Sequence, residues 1–246
     1  SKTSDALYSE YGINLPICFK RKEKKDYGEG GVFVGKIPEE NDKVVIIEFG
    51  IKVYPIVSIK ELFCMNIAVF ASHDGSDLQA IIDGCKRKEL RANVALVISN
   101  NSNSLAIKRA KKEHIPAYHM SKRKWGSEEV LANETLKLME KYEIDLIFLT
   151  GYMRLLHISI VEKYHNRIFN IHPALLPKYG GKGMYGLNVH NAVIAAREKT
   201  TGITIHRVDA EYDSGEIVAQ TKVQVLNNDT PETLSERVLM REHEFL

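Results

Sequence analysis

The alternation of apolar runs with helical repeats, from Met65 to the end of the chain, constrains the fold most strongly. Asn66–Ala71 is a short apolar run, and the apolar side chains that follow recur at helical spacing: Leu78, Ile81, Ile82 and Cys85. Ile144–Thr150 is apolar on both faces, as expected for a central strand of a parallel sheet. Strands that alternate with helices form right-handed crossovers. The sequence therefore predicts an α/β fold, with a mostly parallel, Rossmann-like sheet flanked by helices.

The same reading places the remaining elements. Further strands are predicted at Val94–Ser99, Pro116–His119, Thr201–Val208 and Glu216–Val225. Further helices are predicted at Ser104–Glu113, Glu128–Tyr142, Val189–Glu198 and Pro231–Glu244, the last with Thr230 as N-cap. Residues 178–186 contain four glycines, at 180, 181, 183 and 186, which favours a flexible loop.

Composition excludes several classes of function. The net charge is +2, from 34 basic and 32 acidic residues, so no overall field favours nucleic acid. No apolar stretch approaches the roughly 20 residues needed to cross a bilayer. The N-terminus lacks an apolar signal core. The three cysteines, Cys18, Cys64 and Cys85, have no metal-ligand spacing. We expect a soluble, cytoplasmic protein without a metal site.

The turn Ser72–Asp77, between the first strand and the first helix, is the first candidate site. Backbone N–H groups at the start of a helix, together with the helix dipole, favour bound phosphate. The alternative is that Ser76 or Asp77 merely caps the helix through its side chain.

Asn170-Ile171-His172-Pro173 is the second candidate, at the end of a short apolar segment. On an extended segment, Asn170 and His172 point the same way, so an amide and an imidazole would act on one ligand. The amide can donate to a developing oxyanion, and the imidazole can donate to it or move a proton. Asp213, in the turn after the next strand, is a possible partner of His172 or only a turn residue. His206 is interpreted as a packed histidine.

These segments together resemble the glycinamide ribonucleotide transformylase family over residues 65–246. The resemblance is carried by Gly75-Ser76-Asp77-Leu78-Gln79-Ala80-Ile81-Ile82, Gly151-Tyr152-Met153-Arg154, Asn170-Ile171-His172-Pro173-Ala174-Leu175-Leu176-Pro177 and Asp213-Ser214-Gly215. The wider formyltransferase superfamily shares the Asn-x-His and the later Asp. His172-Pro173 is similar to the ribonucleotide enzymes rather than to the methionyl-tRNA formyltransferases or formyltetrahydrofolate hydrolases.

The resemblance implies formyl transfer from 10-formyltetrahydrofolate, as co-substrate, to the amine of glycinamide ribonucleotide in purine biosynthesis. Asn170, His172 and Asp213 would be catalytic, with Asp213 keeping His172 protonated or oriented and raising its pKa. The partners would be these small molecules, without nucleic acid or membrane, and the enzyme would be a monomer or homodimer.

The resemblance also implies binding residues. Gly75, Ser76 and Asp77 would hold the ribonucleotide phosphate, and Gly151 and Met153 would contact substrate. Arg154 and Leu156 would lie at the folate pterin pocket, and Glu242 would be the substrate-binding glutamate of the last helix. The family commonly has Asn where this chain has Asp77. It also continues beyond the position of Leu246, so we expect a domain that lacks its extreme C-terminus.

Residues 1–64 do not fit the alternating pattern. The segment from Leu15 to Gly31 resembles the mobile-loop region of orotate phosphoribosyltransferase, with Lys22 and Lys25 at its diphosphate-binding positions. The paired acids and the phosphate loop of that family are missing after Val45-Ile46-Ile47, where Glu48 follows directly. We expect an incomplete segment without phosphoribosyl transfer.

Two alternatives to the main interpretation remain open at this point. One is another folate-dependent formyltransferase or a formyltetrahydrofolate hydrolase, which would turn over the folate without the ribonucleotide or act on a charged tRNA. The other is a truncated, inactive protein that binds folate or nucleotide. Asn170, His172 and Asp213 favour an enzyme, whereas Asp77 and the early end of the chain favour an inactive protein.

Overall fold

The computed structural model describes residues 65–246 and, within residues 1–64, the backbone of six two-residue strands. The chain divides into two compact units, Ser1–Cys64 and Met65–Leu246. In the first unit Phe19–Lys20 pairs with Phe33–Val34, Lys43–Val44 with Val57–Ser58, and Ile47–Glu48 with Lys52–Val53, all antiparallel. The predicted likeness to orotate phosphoribosyltransferase depends on residues that lie outside the described ones, and it stays a prediction.

The second unit is built on a seven-stranded sheet, which confirms the predicted fold class. Its strands are β1 (Met65–Phe70), β2 (Ala92–Ser99), β3 (Ala117–His119), β4 (Leu146–Thr150), β5 (Ile168–His172), β6 (Thr200–Arg207) and β7 (Ile217–Gln224). Their order across the sheet is β7-β6-β5-β4-β1-β2-β3. The five strands from β5 to β3 are parallel, and β6 and β7 pair antiparallel at one edge.

Helices follow the strands in the alternating order that the sequence predicts. They are α1 (Ser76–Lys86), α2 (Leu105–Lys112), α3 (Lys122–Trp125), α4 (Glu128–Lys141), α5 (Ile158–Lys163), α6 (Leu187–Ala195) and α7 (Pro231–Phe245). The sequence analysis did not identify α3 and α5, because helices of four and six residues are too short to show a helical period. The α6 helix ends before the predicted Glu198, and Arg197 has a left-handed φ of 53°.

Adjacent residues of the central strands contribute to opposite sides of the sheet. On β1, Phe70 packs in one cluster with Met139 of α4, whereas Val69 packs in another with Leu78 of α1. A third cluster packs β5, β6 and β7 against α6 and α7, and its buried members are Ile171, Val193, Ile203, Val223, Leu234 and Val238. The period-2 pattern of the strands and the 3.6-residue period of the helices together produce these layers.

The strand order reverses between β1 and β4, which are adjacent in the sheet although far apart in the chain. In open α/β sheets, ligands bind outside the carboxyl ends of the strands at such a point. The turn after β1 and the turn after β4 meet there, and these are the segments Ser72–Asp77 and Gly151–Arg154 of the sequence analysis. Within residues 65–246, none of the helices has the length and apolar character that a membrane span requires.

Candidate active site

The turn from β1 into α1 leaves the start of the helix open. Gly75 occupies the N-cap position with a left-handed φ of 71°, and no side chain caps the helix. A Cβ atom on residue 75 would lie 2.7 Å from the Cβ atom of Ala106, so the close approach of α2 also requires glycine. The alternative that Ser76 or Asp77 caps the helix is therefore wrong, and the first N–H groups of α1 remain available for an anion.

Ser72 connects three loops at this edge of the sheet. Its side-chain hydroxyl donates to the side-chain oxygen of Asn100, at 2.7 Å, and accepts from the backbone N–H of Met153, at 2.8 Å. Its own N–H donates to the carbonyl of Gly151, at 3.3 Å. The loops after β1, β2 and β4 are thus held together by one buried side chain, which the sequence analysis did not single out.

The predicted ligand contacts of the β4 loop differ in exposure. The side chain of Met153 is partly exposed, and its sulfur lies 3.2 Å from His73 Nε2. The Arg154 guanidinium lies 3.6 Å from a carboxylate oxygen of Glu128, and both side chains are exposed. Leu156 is buried in the core cluster, so its side chain contributes to packing rather than to an open pocket surface.

Asn170, His206 and Asp213 form a compact cluster. The Asn170 amide nitrogen lies 3.0 Å from His206 Nε2 and 3.3 Å from Asp213 Oδ1, and these two atoms are 3.4 Å apart. Because His206 Nε2 and Asp213 Oδ1 are so close, one amide N–H can face both, and the second remains for a ligand. His206 Nδ1 lies 2.8 Å from the Arg207 carbonyl, to which it donates.

His172 enters the cluster from the same strand. Its Nε2–H donates to the carbonyl oxygen of Tyr179, at 2.8 Å, and its Nδ1 lies 3.5 Å from Asp213 Oδ2. The same carboxylate oxygen accepts from the backbone N–H of Gly181, at 2.9 Å. Asp213 therefore connects His172 with the glycine-containing loop 178–186. As predicted, Asn170 and His172 project from one strand in the same direction, and both lie beside the Asp213 carboxylate.

Burial and charge act in opposite directions in this cluster. Burial lowers the pKa of His172, and it outweighs the raising effects of Asp213 and of the bond to Tyr179. Burial acts to raise the pKa of Asp213, but the contacts with His206, with His172 and with the Gly181 N–H outweigh it and lower that pKa. Asp213 raises the pKa of His172, as expected, but burial outweighs this effect, and the net shift is downward. The cluster therefore keeps Asp213 ionised and turns His172 Nδ1 toward its carboxylate.

His206 is the member of the cluster that the sequence analysis interpreted as a packed residue. It is buried, but its position opposite Asn170 in the antiparallel β5–β6 pair brings its ring to the Asn170 amide. The signal that could have identified it is this pairing, because residues opposite each other on neighbouring strands have adjacent side chains. In the parallel pair of β4 and β5, Asn170 lies beside Leu149, close to Gly151. The cluster therefore lies at the carboxyl ends of the parallel strands, on the same side of the sheet as the β4 loop.

Asp77 and Glu242 form a second acidic region, where α1 begins and α7 ends. Glu242 is 7% exposed, and the charge of Asp77 acts on it. Asp77 Oδ1 is buried and has no hydrogen-bond partner among residues 65–246, and His243 Nε2 lies 3.4 Å away. Burial raises the pKa of Asp77, and burial together with the Asp77 charge raises the pKa of Glu242 to about 8.

Within residues 65–246, no three His, Cys, Asp or Glu side chains are grouped as metal ligands. The polar groups of the site are instead backbone N–H groups, one amide, two imidazoles and one carboxylate. Such a set can bind an anion at the start of α1 and stabilise a developing oxyanion near Asn170 and His172.

Comparison with known proteins reveals clear relatives. The sequence profile described as formyl transferase matches residues 65–246. A phosphoribosylglycinamide formyltransferase of Escherichia coli K12 is 35% identical over 179 residues, which are 73% of this chain and 82% of that protein. The chloroplastic enzyme of the same name from Arabidopsis thaliana is 40% identical over 181 residues, 73% of this chain.

The chain spans 62% of the length of that Arabidopsis protein and 58% of its Vigna unguiculata counterpart. Among solved structures, glycinamide ribonucleotide transformylase 1 of Geobacillus kaustophilus superposes with a TM-score of 0.69 at 36% identity. That match covers 74% of this chain and 94% of the other.

Proposed function

The chain belongs to the formyl transferase family, and we propose that it transfers the formyl group of 10-formyltetrahydrofolate to the amine of glycinamide ribonucleotide. The observation that carries the proposal is a cluster at the carboxyl ends of the parallel strands, near the β4 loop. It consists of Asn170, His172, His206 and Asp213. Its amide and imidazole donors suit an acyl-type transfer through an oxyanion. The relatives from Escherichia coli and Geobacillus kaustophilus are named for the same reaction.

The reaction forms one C–N bond and breaks another. The substrate amine attacks the formyl carbon, and the carbonyl oxygen becomes an oxyanion to which the free N–H of Asn170 donates. The bond between the formyl carbon and the folate nitrogen then breaks, and the proton of the amine passes to that nitrogen. His172, oriented by Asp213, carries this proton or stabilises the oxyanion.

His172 must change partner to take part. In this structure its Nε2–H is bonded to the Tyr179 carbonyl, so the oxyanion has to replace that carbonyl as the acceptor. His206 Nε2 lies 3.0 Å from the Asn170 amide nitrogen and so helps to hold the amide in place. Because His206 Nδ1–H is bonded to its own strand, its ring cannot turn without losing that bond.

The substrate-binding assignments are part of the proposal. The N–H groups at Gly75, Ser76 and Asp77 would bind the ribonucleotide phosphate, supported by the open start of α1. Gly151, Met153 and Glu242 would contact the rest of that substrate. Arg154 and the backbone at Leu156 would border the folate.

We further propose that residues 65–246 carry the whole activity and that residues 1–64 are an incomplete appendage. The deletion of residues 1–64 would then leave the rate of formyl transfer unchanged, and a large loss would contradict this assignment. A monomer or homodimer and a cytoplasmic location stay predictions, and two of the plant relatives are named as chloroplastic.

The decisive experiment is an absorbance assay of folate turnover by the full chain, with and without glycinamide ribonucleotide. Turnover that requires the ribonucleotide, together with formation of formylated product, is expected. Turnover without the ribonucleotide would instead indicate a hydrolase. No turnover in a sample shown by circular dichroism to be folded would favour the alternative of an inactive binding protein.

A further inference from the structure

The acidic pair of Asp77 and Glu242 lies where the phosphate of the substrate is expected. Asp77 is the second residue of α1, and Glu242 is in the last turn of α7. The side chain of Asp77 is 14% exposed and Glu242 is 7% exposed, so both carboxyl groups are largely removed from water.

Few groups compensate the charge of this pair. Among residues 65–246, no hydrogen-bond donor reaches Asp77 Oδ1, and Glu242 experiences only burial and the charge of Asp77. From α7, His243 Nε2 lies 3.4 Å from Asp77 Oδ1, and its side chain is 39% exposed. From the loop before α1, Asp74 adds a further negative charge, although its carboxylate is paired with Arg109 of α2 at 3.2 Å.

The ionisation of both carboxyl groups has a high free-energy cost in such surroundings. Burial disfavours the charged form of each, and the charge of one raises the cost of ionising the other. A phosphate dianion at the start of α1 adds two more negative charges beside Asp77. The complex is therefore far more stable if one of these groups holds a proton.

We propose that Asp77 and Glu242 share a proton, and that the phosphate group of the substrate binds only while this proton is retained. Binding at alkaline pH is then accompanied by proton uptake. The proposal rests on the proposed function, because it takes the phosphate of glycinamide ribonucleotide as the anion. The raised pKa of Glu242, about 8, agrees with a proton that is half lost near that pH in the free protein.

The test is calorimetric titration of the full chain with glycinamide ribonucleotide from pH 7 to pH 9.5. Each pH is measured in two buffers of different ionisation enthalpy, which counts the protons taken up. Uptake is expected to approach one proton per ligand above pH 8.5. By linkage, the Kd then rises up to about tenfold for each pH unit.

Variants separate the pair from other sources of protons. D77N should reduce the uptake and bind tighter than the unmodified chain at pH 9, and the D77N/E242Q double variant should abolish the uptake. E244Q is the matched control, because Glu244 is an exposed carboxylate of the same helix as Glu242 and is already paired with Arg241. Its proton uptake should equal that of the unmodified chain.

Three outcomes would overturn the proposal: binding without proton uptake, equal uptake in the D77N/E242Q variant, and no binding of the ribonucleotide between pH 7 and pH 9.5. Failure of the proposed function looks different. A chain that binds the ribonucleotide with proton uptake lost in the double variant, but transfers no formyl group, would support the carboxyl pair and contradict the enzymatic assignment.

Discussion

The two acidic regions of the second unit are buried to a similar degree, yet the pKa values of their carboxyl groups shift in opposite directions. Asp213, whose side chain is 11% exposed, accepts from the Gly181 N–H and the Asn170 amide and faces two imidazoles, and its pKa is lowered. Within the described part of the chain, Asp77 Oδ1 accepts no hydrogen bond and has His243 Nε2 at 3.4 Å, and the pKa of Asp77 is raised. The number of donors around a buried carboxyl, rather than its depth, decides whether it is ionised.

This difference separates two tasks. A carboxylate that must orient a histidine has to remain ionised, and donors from β5, β6 and the loop after β5 surround Asp213. A carboxyl group that adjoins an anion is better neutral, and Asp77 and Glu242 have few donors. The following four experiments test this contrast, from the largest expected effect to the smallest.

Asn170→Ala removes the amide that both His206 and Asp213 contact. The loss of one oxyanion donor should lower kcat about 100- to 1,000-fold, or about 3–4 kcal/mol of transition-state stabilisation. The Kd for the ribonucleotide should change little, as measured by calorimetry beside steady-state kinetics. Asn93→Ala, an exposed amide that contacts Asn66, is the control and should leave kcat unchanged. A rise of the same size in Kd, with kcat unchanged, would reject the catalytic role.

Asp213→Asn keeps the shape of the side chain and removes its charge. We expect a fall in kcat of about 100-fold, within the usual range for a disturbed acid–base group. Asp213 raises the pKa of His172, so its neutralisation should lower that pKa further and move the acidic limb of the kcat–pH profile to lower pH. Asp209→Asn changes a carboxylate in the same turn that contacts Ser214 and the Glu211 N–H, and it should not move that limb. If the acidic limb of the kcat–pH profile of Asp213→Asn lies at the same pH as that of the unmodified chain, the pairing of Asp213 with His172 is contradicted.

Glu242→Gln tests the other side of the contrast through stability. The folded-state pKa of Glu242 is raised to about 8, so the folded chain holds a proton that the unfolded chain releases above its ordinary value of 4.5. The stabilisation is complete below that value and is lost as pH rises through about 8. Between pH 6 and pH 7.5 this group should lower the free energy of unfolding by about 2 kcal/mol.

Urea denaturation at both pH values measures that slope. Glu242→Gln should unfold with a smaller dependence on pH in this window, because the amide does not titrate. Glu244→Gln, an exposed residue of the same helix that is paired with Arg241, should keep the slope of the unmodified chain. Identical slopes for all three proteins would mean that Glu242 is not protonated in the folded state.

Arg237→Ala should have the smallest effect. Arg237 donates to both carboxylate oxygens of Asp229, at 2.7 and 2.6 Å, and this bond lowers the pKa of Asp229 in spite of its burial. The loss of these bonds should reduce the free energy of unfolding by about 1.5 kcal/mol at neutral pH. The exposed control Arg241→Ala should cost below about 0.5 kcal/mol. An equal loss in the free energy of unfolding for the two variants would show that the hydrogen bonds from Arg237 to Asp229 stabilise the fold no more than an exposed ion pair does.

The sequence predicted the fold well because its periodicity is strong. The predicted helix Pro231–Glu244 is observed as Pro231–Phe245 with the expected Thr230 cap, since a capping residue followed by proline defines a helix start locally. The α5 helix was missed because six residues give too few repeats to reveal a period. The order of β6 and β7 at one edge depends on long-range packing, which periodicity does not contain.

The candidate site was predictable in its residues more than in its electrostatics. Asn170, His172 and Asp213 were selected through the family resemblance, whereas His206 required knowledge that β6 pairs with β5 in antiparallel register. The raising effect of Asp213 on the pKa of His172 was predicted, whereas the larger lowering effect of burial was not, because the sequence does not reveal how deeply the ring is buried. The catalytic and binding roles themselves stay predictions for the experiments above.

The hydroxyl group of Ser72 has a consequence for how such a site can change over evolution. Three loops meet at that oxygen and at the adjacent N–H, and none of these bonds involves Asn170, His172 or Asp213. A substitution at residue 72 would loosen all three loops after the parallel strands and leave His172 and His206 in place. Substrate preference could therefore drift by single mutations while the chemical step is conserved, with binding and turnover selected separately in one small domain.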